Sequence, residues 1–419
     1  METNRDIYVF FDWGAIESSI LMGVLHSKIV RSKEVFSFDS DRKWLEHPQF
    51  RILDPDMGRF AGAQYLRDEK VNFGLFLDSS PDRWGRMLMK RREAILARVQ
   101  GRKPKPLFES DYLLGVYDGN RMGALRFKTK PDGAYMDDNK DLATPPWTSI
   151  RDLEYASLQL EREDISDTPE YAKWLNMLVA PGSSLGGARP KASIVDKNGT
   201  LWMAKFPSNN DTKDMGAWEM VVSELARNCG ITMAESRAQK FLGKQHTFLS
   251  KRFDRTPSGA RIHFASAMTM LGTTDGADYT TGTSYLSLVE FIMTCGAHVE
   301  ENLKELWRRM VFNIAVSNCD DHLRNHGFLL TKQGWVLSPA YDVNPDEYGT
   351  GLKLNISEED NSLDFDLAMS VAPHFRLSKK EASSILFDIK KSVSAWHRIA
   401  AAYNIPKNEL VLMEFVFCK

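Results

Sequence analysis

The sequence predicts an α+β protein laid out in order along the chain: a β-rich beginning, a mixed middle and a mostly helical end. Three observations carry this reading. Residues 7–38 alternate and are rich in Val, Ile, Phe and Tyr, the pattern of several antiparallel strands. Residues 300–317 place apolar side chains at spacings of three and four, the pattern of one buried helix face. A polar, Pro-containing stretch at 130–147 separates the β-rich beginning from the rest and reads as a linker. At 419 residues with 43% apolar side chains, two or three domains with a substantial core are expected.

The elements follow in order. After the strands of 7–38, Ser80 before Pro81 marks a helix start, and residues 82–99 read as that helix. The run QGRKPKPL ends it, and a short β-like piece follows at 121–128. Beyond the linker, SIRDLEYASLQLERED and TPEYAKWLNMLVA read as helices. A Gly-rich turn then leads into two strands joined at Lys197-Asn198-Gly199, a hairpin signal. Residues 216–229 are expected to be helical and to stop at Gly230. The segment AESRAQKFLGKQHTFLSKRFDR reads as a second hairpin. From 284 onward the chain reads as mainly helical, with the exception of a hairpin at 327–338 with its turn near Gly334.

Bulk properties exclude several classes. A formal net charge of −2 gives no reason to expect general nucleic-acid binding. The four cysteines, Cys229, Cys295, Cys319 and Cys418, are scattered, which argues against a disulfide framework or a zinc site and fits a reducing cytoplasm. Acidic residues interrupt the start of the chain, so no signal peptide is expected. No apolar run reaches the roughly 18 residues of a membrane span. Residues 83–105 hold nine basic side chains against one acid, Glu93; a solvated helix face or a partner surface would both produce this.

The densest polar cluster, SNCDDHLRNHGFLL at 317–330, lies at the end of the helix of 300–317. Leu303, Leu306, Trp307, Met310, Val311, Ile314 and Ala315 form the apolar face of that helix and should anchor it. A rigid anchored element can position reactive groups at its end. Asp320 and Asn325 are five residues apart, and the hairpin of 327–338 leads on to Asp342 in SPAYDVNP. In kinase-type phosphoryl transfer an Asp accepts the hydroxyl proton, an Asn five positions on binds Mg²⁺, and a later Asp binds Mg²⁺ too. Upstream, Lys205 ends a β-like run, Glu219 on the next helix could pair with it, and Gly182, Gly186 and Gly187 would let backbone N–H groups approach phosphates. Each signal is weak alone; their shared order is what points to this chemistry. His322 could orient Asp320 or fill the loop interior. Asp321 is expected to face solvent, and His326 has no assigned role.

The chain also carries partial signatures of other chemistries. GSSLG at 182–186 fits the nucleophile elbow G-x-S-x-G, but Pro181 before it and GGARPKASIV after it do not supply the required strand and helix. A metal-dependent phosphohydrolase built on Asp320, Asp321 and His322 would need further ligand clusters, and the other histidines are isolated. A kinase-shaped binding module without turnover is the non-enzymatic alternative, against which the retained acid and metal ligands argue.

On these motifs the chain resembles the HipA-type serine/threonine kinases of bacterial toxin–antitoxin systems, over nearly its whole length. The resemblance implies a protein-kinase-like bilobal fold. Residues 1–130 would be its β-rich N-terminal subdomain, 148–260 its N-lobe core and 261–419 its helical C-lobe. GSSLGGARPKASI resembles the Gly-rich phosphate loop, with Ser184 where family members carry an autophosphorylated serine; Lys191 in the same run joins the cofactor-binding residues. AKFP matches the ATP-contacting lysine, Lys205. KRFDR resembles the hinge, where backbone atoms around Lys251 and Phe253 would hold the adenine. NCDDHLRNHGF matches the catalytic loop and LSPAYDV the second metal-binding aspartate. Two departures stand out: Asp321 where a small residue is common, and Lys251 where an acid is common. The resemblance further implies ATP and Mg²⁺ as cofactors and silencing by phosphorylation of Ser184. It also implies a substrate such as an aminoacyl-tRNA synthetase, and a small HipB-like DNA-binding antitoxin as partner. Nucleic acid would then be reached only through that antitoxin.

Overall fold

The computed structural model describes residues 4–67, 70–140, 143–162, 168–179, 187 and 189–417. The chain forms two compact units, and it interleaves between them. The first comprises Met1–Asn209 and Lys251–Ala265, the second Asn210–Ser250 and Ser266–Lys419. This division cuts across the three consecutive ranges expected from the sequence, because residues 210–250 pack with the C-terminal half. Among the described residues no helix is long and apolar enough to cross a membrane.

In the first unit, β1 (Asn4–Phe11), β2 (Ile20–Val30) and β3 (Lys33–Ser40) form an antiparallel meander. Arg31 and Ser32 both take positive φ in the tight β2–β3 turn, which matches the right-handed twist of the strands. β4 (Ala63–Tyr65) adds beyond β3, and β5 (Leu125–Lys128) beyond β1, for the order β4-β3-β2-β1-β5. Alternating residues Ile7, Val9, Phe11, Leu25, Phe36 and Phe38 are buried, so one face of the sheet forms the core. The helices of this unit are α1 (Arg42–Leu45), α2 (Gly74–Asp78), α3 (Arg83–Val99), α4 (Glu109–Leu114), α5 (Ile150–Leu160) and α6 (Pro169–Val179). The start of α3 differs from expectation. Its N-cap is Asp82, which accepts from Gly85 N at 2.8 Å, while the Ser80 hydroxyl turns back to the Phe76 carbonyl and serves α2. The expected linker is tethered rather than loose: Met136 N donates to Phe127 O, and Val195 N donates to Pro145 O. β6 (Lys191–Val195) and β7 (Leu201–Lys205) form the expected hairpin, with Gly199 at positive φ in its turn.

The second unit begins with α7 (Met215–Asn228), followed by Gly230 at positive φ as expected, and by the hairpin of β8 (Ser236–Gln239) and β9 (Thr247–Lys251). β10 (Phe264–Ser266), whose first two residues belong to the first unit, precedes α8 (Ala267–Met270), α9 (Tyr285–Cys295) and α10 (Val299–Ala315). Then come β11 (Gly327–Leu330), β12 (Trp335–Leu337), α11 (Phe365–Val371), α12 (Lys379–Val393), α13 (Trp396–Ala402) and α14 (Lys407–Phe417). The central helix is α10. All seven of its expected core residues are buried, and it packs against α9, α11 and α12. Trp218 of α7 packs against Trp396 and Phe417, giving this unit an aromatic cluster with a large buried area.

Candidate active site

The end of α10 delivers the chain to the polar loop. Val316 caps the helix, Ser317 takes φ 48°, and Asn318 N returns to Asn313 O at 2.9 Å. Asp320 is exposed; residues 323–325 then form a single 3₁₀ turn. Asn325 N donates to His322 O at 2.8 Å, and Asn325 Nδ2 donates to Asp320 O at 2.7 Å. The five-residue spacing is what lets the Asn325 amide reach back and close the loop. Its Nδ2 is spent on that closure, so its Oδ1 is the atom left to act as a ligand.

The β11–β12 hairpin pairs Phe328 with Leu337, and Leu330 with Trp335, and returns the chain to Asp342. Tyr341 OH donates to Arg324 O at 2.8 Å and pins this return to the loop. Asn325 and Asp342 then line one cleft together with Asn318, Asp321, His326 and Tyr341. Asp342 has φ 55°, and its Oδ1 accepts from Asn344 Nδ2 at 3.0 Å. Asp tolerates this left-handed conformation better than most residues, and such conformations concentrate at functional sites. The Asn325 amide oxygen and the Asp342 carboxylate are hard oxygen donors, the type Mg²⁺ takes. Among the described residues, no group of three or more His, Cys, Asp or Glu is placed to hold a metal, so the clustered ligands of a phosphohydrolase are not found there.

Asp321 departs from its expected solvent-facing position. It is fully buried, accepting from Tyr285 OH and from Lys353 N at 2.6 Å each. Burial pushes its carboxyl up to about 7. Its partners stand 36 and 32 residues away in sequence, so no local pattern marks the position as interior. His326 is buried edge-on against the Tyr285 ring, and desolvation pushes it down to about 3, leaving it neutral at pH 7. His322 Nδ1 and His326 Nε2 are buried without a hydrogen-bond partner among the described residues, so His322 does not reach Asp320 through Nδ1.

The remaining expected residues divide between the units. Gly182, Ser184 and Gly186 lie outside the described residues. A side chain at Gly187 would meet only open space. Lys191 and Lys205 are register partners on β6 and β7. Lys191 Nζ is already engaged, 2.8 Å from Asp82 Oδ2 and 2.8 Å from Gly187 O. Asp82 thus both caps α3 and binds Lys191, which in turn holds the end of the Gly-rich run through the Gly187 carbonyl. Direct nucleotide contact by Lys191 would have to compete with these partners. Lys205 is largely buried at the end of β7 in the first unit, and Glu219 is buried in the first half of α7 in the second.

Lys251 and Phe253 lie in a segment, 251–255, that is braced from within the first unit. Arg252 Nε and Nη2 lie 2.7 and 2.6 Å from the Asp254 carboxylate, and Arg252 Nη1 donates to Asn120 O at 3.0 Å. Arg255 Nη2 donates to Arg121 O at 2.8 Å, and Asp254 Oδ2 accepts from Gly123 N at 2.8 Å. Burial alone would raise the Asp254 carboxyl. Arg252 and Arg255 outweigh it and hold the group well below the usual carboxylate range. The bracing residues 119–123 carry no site motif, and the only sequence signal for them is Arg121 inside an otherwise β-like run.

Over 98% of its length the chain is similar to HipA of Shewanella oneidensis, solved in a toxin–antitoxin complex with HipB and its operator DNA. The TM-score is 0.66 at 16% identity, covering 95% of that chain, and the likeness establishes a HipA kinase-like fold. Residues 183–396, just over half of the chain, match the HipA-like C-terminal domain, and the chain belongs to that family. Two curated relatives are named as kinases. A Haemophilus influenzae protein named "Putative kinase" is 26% identical over 182 residues, 38% of this chain. The Sinorhizobium fredii protein "Putative kinase Y4dM" is 30% identical over 158 residues, 35% of this chain. The matches span 52% and 37% of those two relatives.

Proposed function

We propose that the chain is an ATP- and Mg²⁺-dependent serine/threonine protein kinase of HipA type. The observation that carries this reading is the shared cleft of Asn325 and Asp342, reached from a loop that also presents Asp320. Bound ATP would supply the phosphoryl group and Mg²⁺ would offset its charge. Asn325 and Asp342 would hold the metal, and Asp320 would orient a Ser or Thr hydroxyl and accept its proton. Lys205, the run 182–187 and backbone around Lys251 and Phe253 would hold the nucleotide, with Glu219 steadying Lys205 and Lys191 steadying the loop end. Most of the acceleration would come from positioning and electrostatics. A phosphate on Ser184 would add about two negative charges where ATP phosphates must sit, and so silence the enzyme.

The HipB and operator DNA bound to the Shewanella protein support a small HipB-like DNA-binding partner here, with nucleic acid reached only through it. The protein substrate is proposed to be translation-related, such as an aminoacyl-tRNA synthetase. The test incubates wild type and Asp320→Ala with γ-labelled ATP and a host lysate. Wild type should label itself at Ser184 and label a second protein. Asp320→Ala should lose transfer by at least about 10²-fold while still binding ATP. Undiminished transfer in the variant overturns the assignment, and phosphate release without transfer restores the phosphohydrolase.

A further inference from the structure

A continuous hydrogen-bond chain, buried from Asn318 to Asp321, connects the proposed metal ligand Asp342 with Asp321, the neighbour of Asp320. Asn344 Nδ2 donates to Asp342 Oδ1 at 3.0 Å, and Asn344 N donates to Asn318 Oδ1 at 3.3 Å. Asn318 Nδ2 donates to Asn313 Oδ1 at 3.1 Å, and Asn313 Nδ2 donates to Tyr285 OH at 2.9 Å. Tyr285 OH donates to Asp321 Oδ2, whose other oxygen accepts from Lys353 N. Tyr285, Asn313, Asn318 and Asp321 are all buried. No role proposed above uses any of these four side chains.

The direction of each bond fixes the next. Asn344 N can only donate, so Asn318 must offer it an oxygen and turn its Nδ2 toward Asn313. Asn313 must then donate to Tyr285, and Tyr285 must donate to Asp321. A buried network with every link made is stiff, because breaking any link strands a polar group away from water. Its two ends hold residues 344 and 353, and a further bond from Asp346 N to Ser317 O, at 3.0 Å, ties the segment between them. The network therefore joins the chain segments that carry Asp320 and Asp342, rather than merely packing one helix on another.

Resting on the kinase reading, we propose that Tyr285 and Asp321 are positioning residues for phosphoryl transfer. They hold the Asp320 loop in register with Asp342. A displacement of about 1 Å between such groups costs on the order of 10²-fold in rate. Tyr285→Phe keeps the ring and removes the hydroxyl, leaving the Asp320 and Asp342 side chains themselves unchanged. The experiment measures the initial rate of label transfer from γ-labelled ATP, in the presence of lysate, as a function of ATP concentration. Tyr285→Phe should lower the maximal rate about ten- to a hundred-fold while leaving half-saturating ATP unchanged. Asp321→Asn, which puts a donor where only acceptors fit, should show the same split. Thermal unfolding followed by circular dichroism measures the folded fraction of each variant. Wild-type rates in Tyr285→Phe, or losses in both variants no larger than their unfolded fractions, overturn the positioning role alone. A wild type that transfers no label overturns the kinase reading, and this role with it.

Discussion

Asp54 accepts backbone N–H bonds from Asp56 and Leu75, at 2.9 Å each, yet desolvation pushes its carboxyl up to about 6. A carboxyl that holds its proton more tightly in the folded than in the unfolded chain favours folding most below about pH 4. That contribution is lost as pH rises through about 6. Asp54→Asn removes the titration, whatever constant offset the new amide adds. Chemical denaturation at pH 4.5 and pH 7.5 should therefore show the variant gaining relative to wild type at the higher pH. The same scale separates Asp320 from Asp321. Side by side in the chain, one is exposed and the other is enclosed by donors from α9 and the segment after Asp342. Their chemistry is identical, and only the environment separates the proposed reactive role of Asp320 from the proposed supporting role of Asp321.

Among the elements, α7 shows how closely a helix can be seated. Asp214 caps it by accepting from Ala217 N, and the same carboxylate takes His246 N at 2.8 Å and His246 Nδ1 at 2.7 Å. The helix start is thereby tied to the β8–β9 hairpin. Gly216 sits where a Cβ would collide with the His246 carbonyl oxygen, so the close approach requires glycine. Gly216→Ala should destabilise by roughly 1–3 kcal/mol or more, because backbone rather than a flexible side chain must move. A lowered thermal midpoint checks this, and an unchanged midpoint would mean that the helix is free to shift. The C-terminal stop of α7 at Gly230 and the buried face of α10 are legible from local sequence. The N-cap at Asp82 is less so, because Ser80, Asp82 and Pro81 offer competing starts and only the Lys191 partner across the fold favours Asp82.

At the scale of the whole molecule, the chain crosses between its two units more than once. Residues 210–250 complete the core of the second unit: Trp218, Val221, Val222 and Leu225 of α7 are fully buried, and Trp218 packs on Trp396 and Phe417. Glu409 of α14 also accepts from Trp218 Nε1 at 2.9 Å and from Asp214 N at 3.0 Å. A fragment of residues 266–419 would expose that surface and strand Glu409. It should show no cooperative thermal transition by circular dichroism, whereas the full chain should. A cooperative melt in the fragment would show that α7 is dispensable for the fold.

Local sequence by itself determined the β-rich beginning, the helices α3, α5, α6, α7 and α10, the buried stripe on α10, the hairpin turn at Gly199, and the Asp320–Asn325–Asp342 progression. These rest on periodicity, turn residues and fixed spacing, all of which act over a few residues. Only the tertiary structure decided that Asp321 faces inward, that Lys191 is held by Asp82, and that Arg252, Asp254 and Arg255 brace the segment 251–255 on residues 119–123. Each of those partners lies more than thirty residues away in the chain. Burial and pairing of a charged group depend on what the rest of the fold brings against it, and short-range pattern does not encode that.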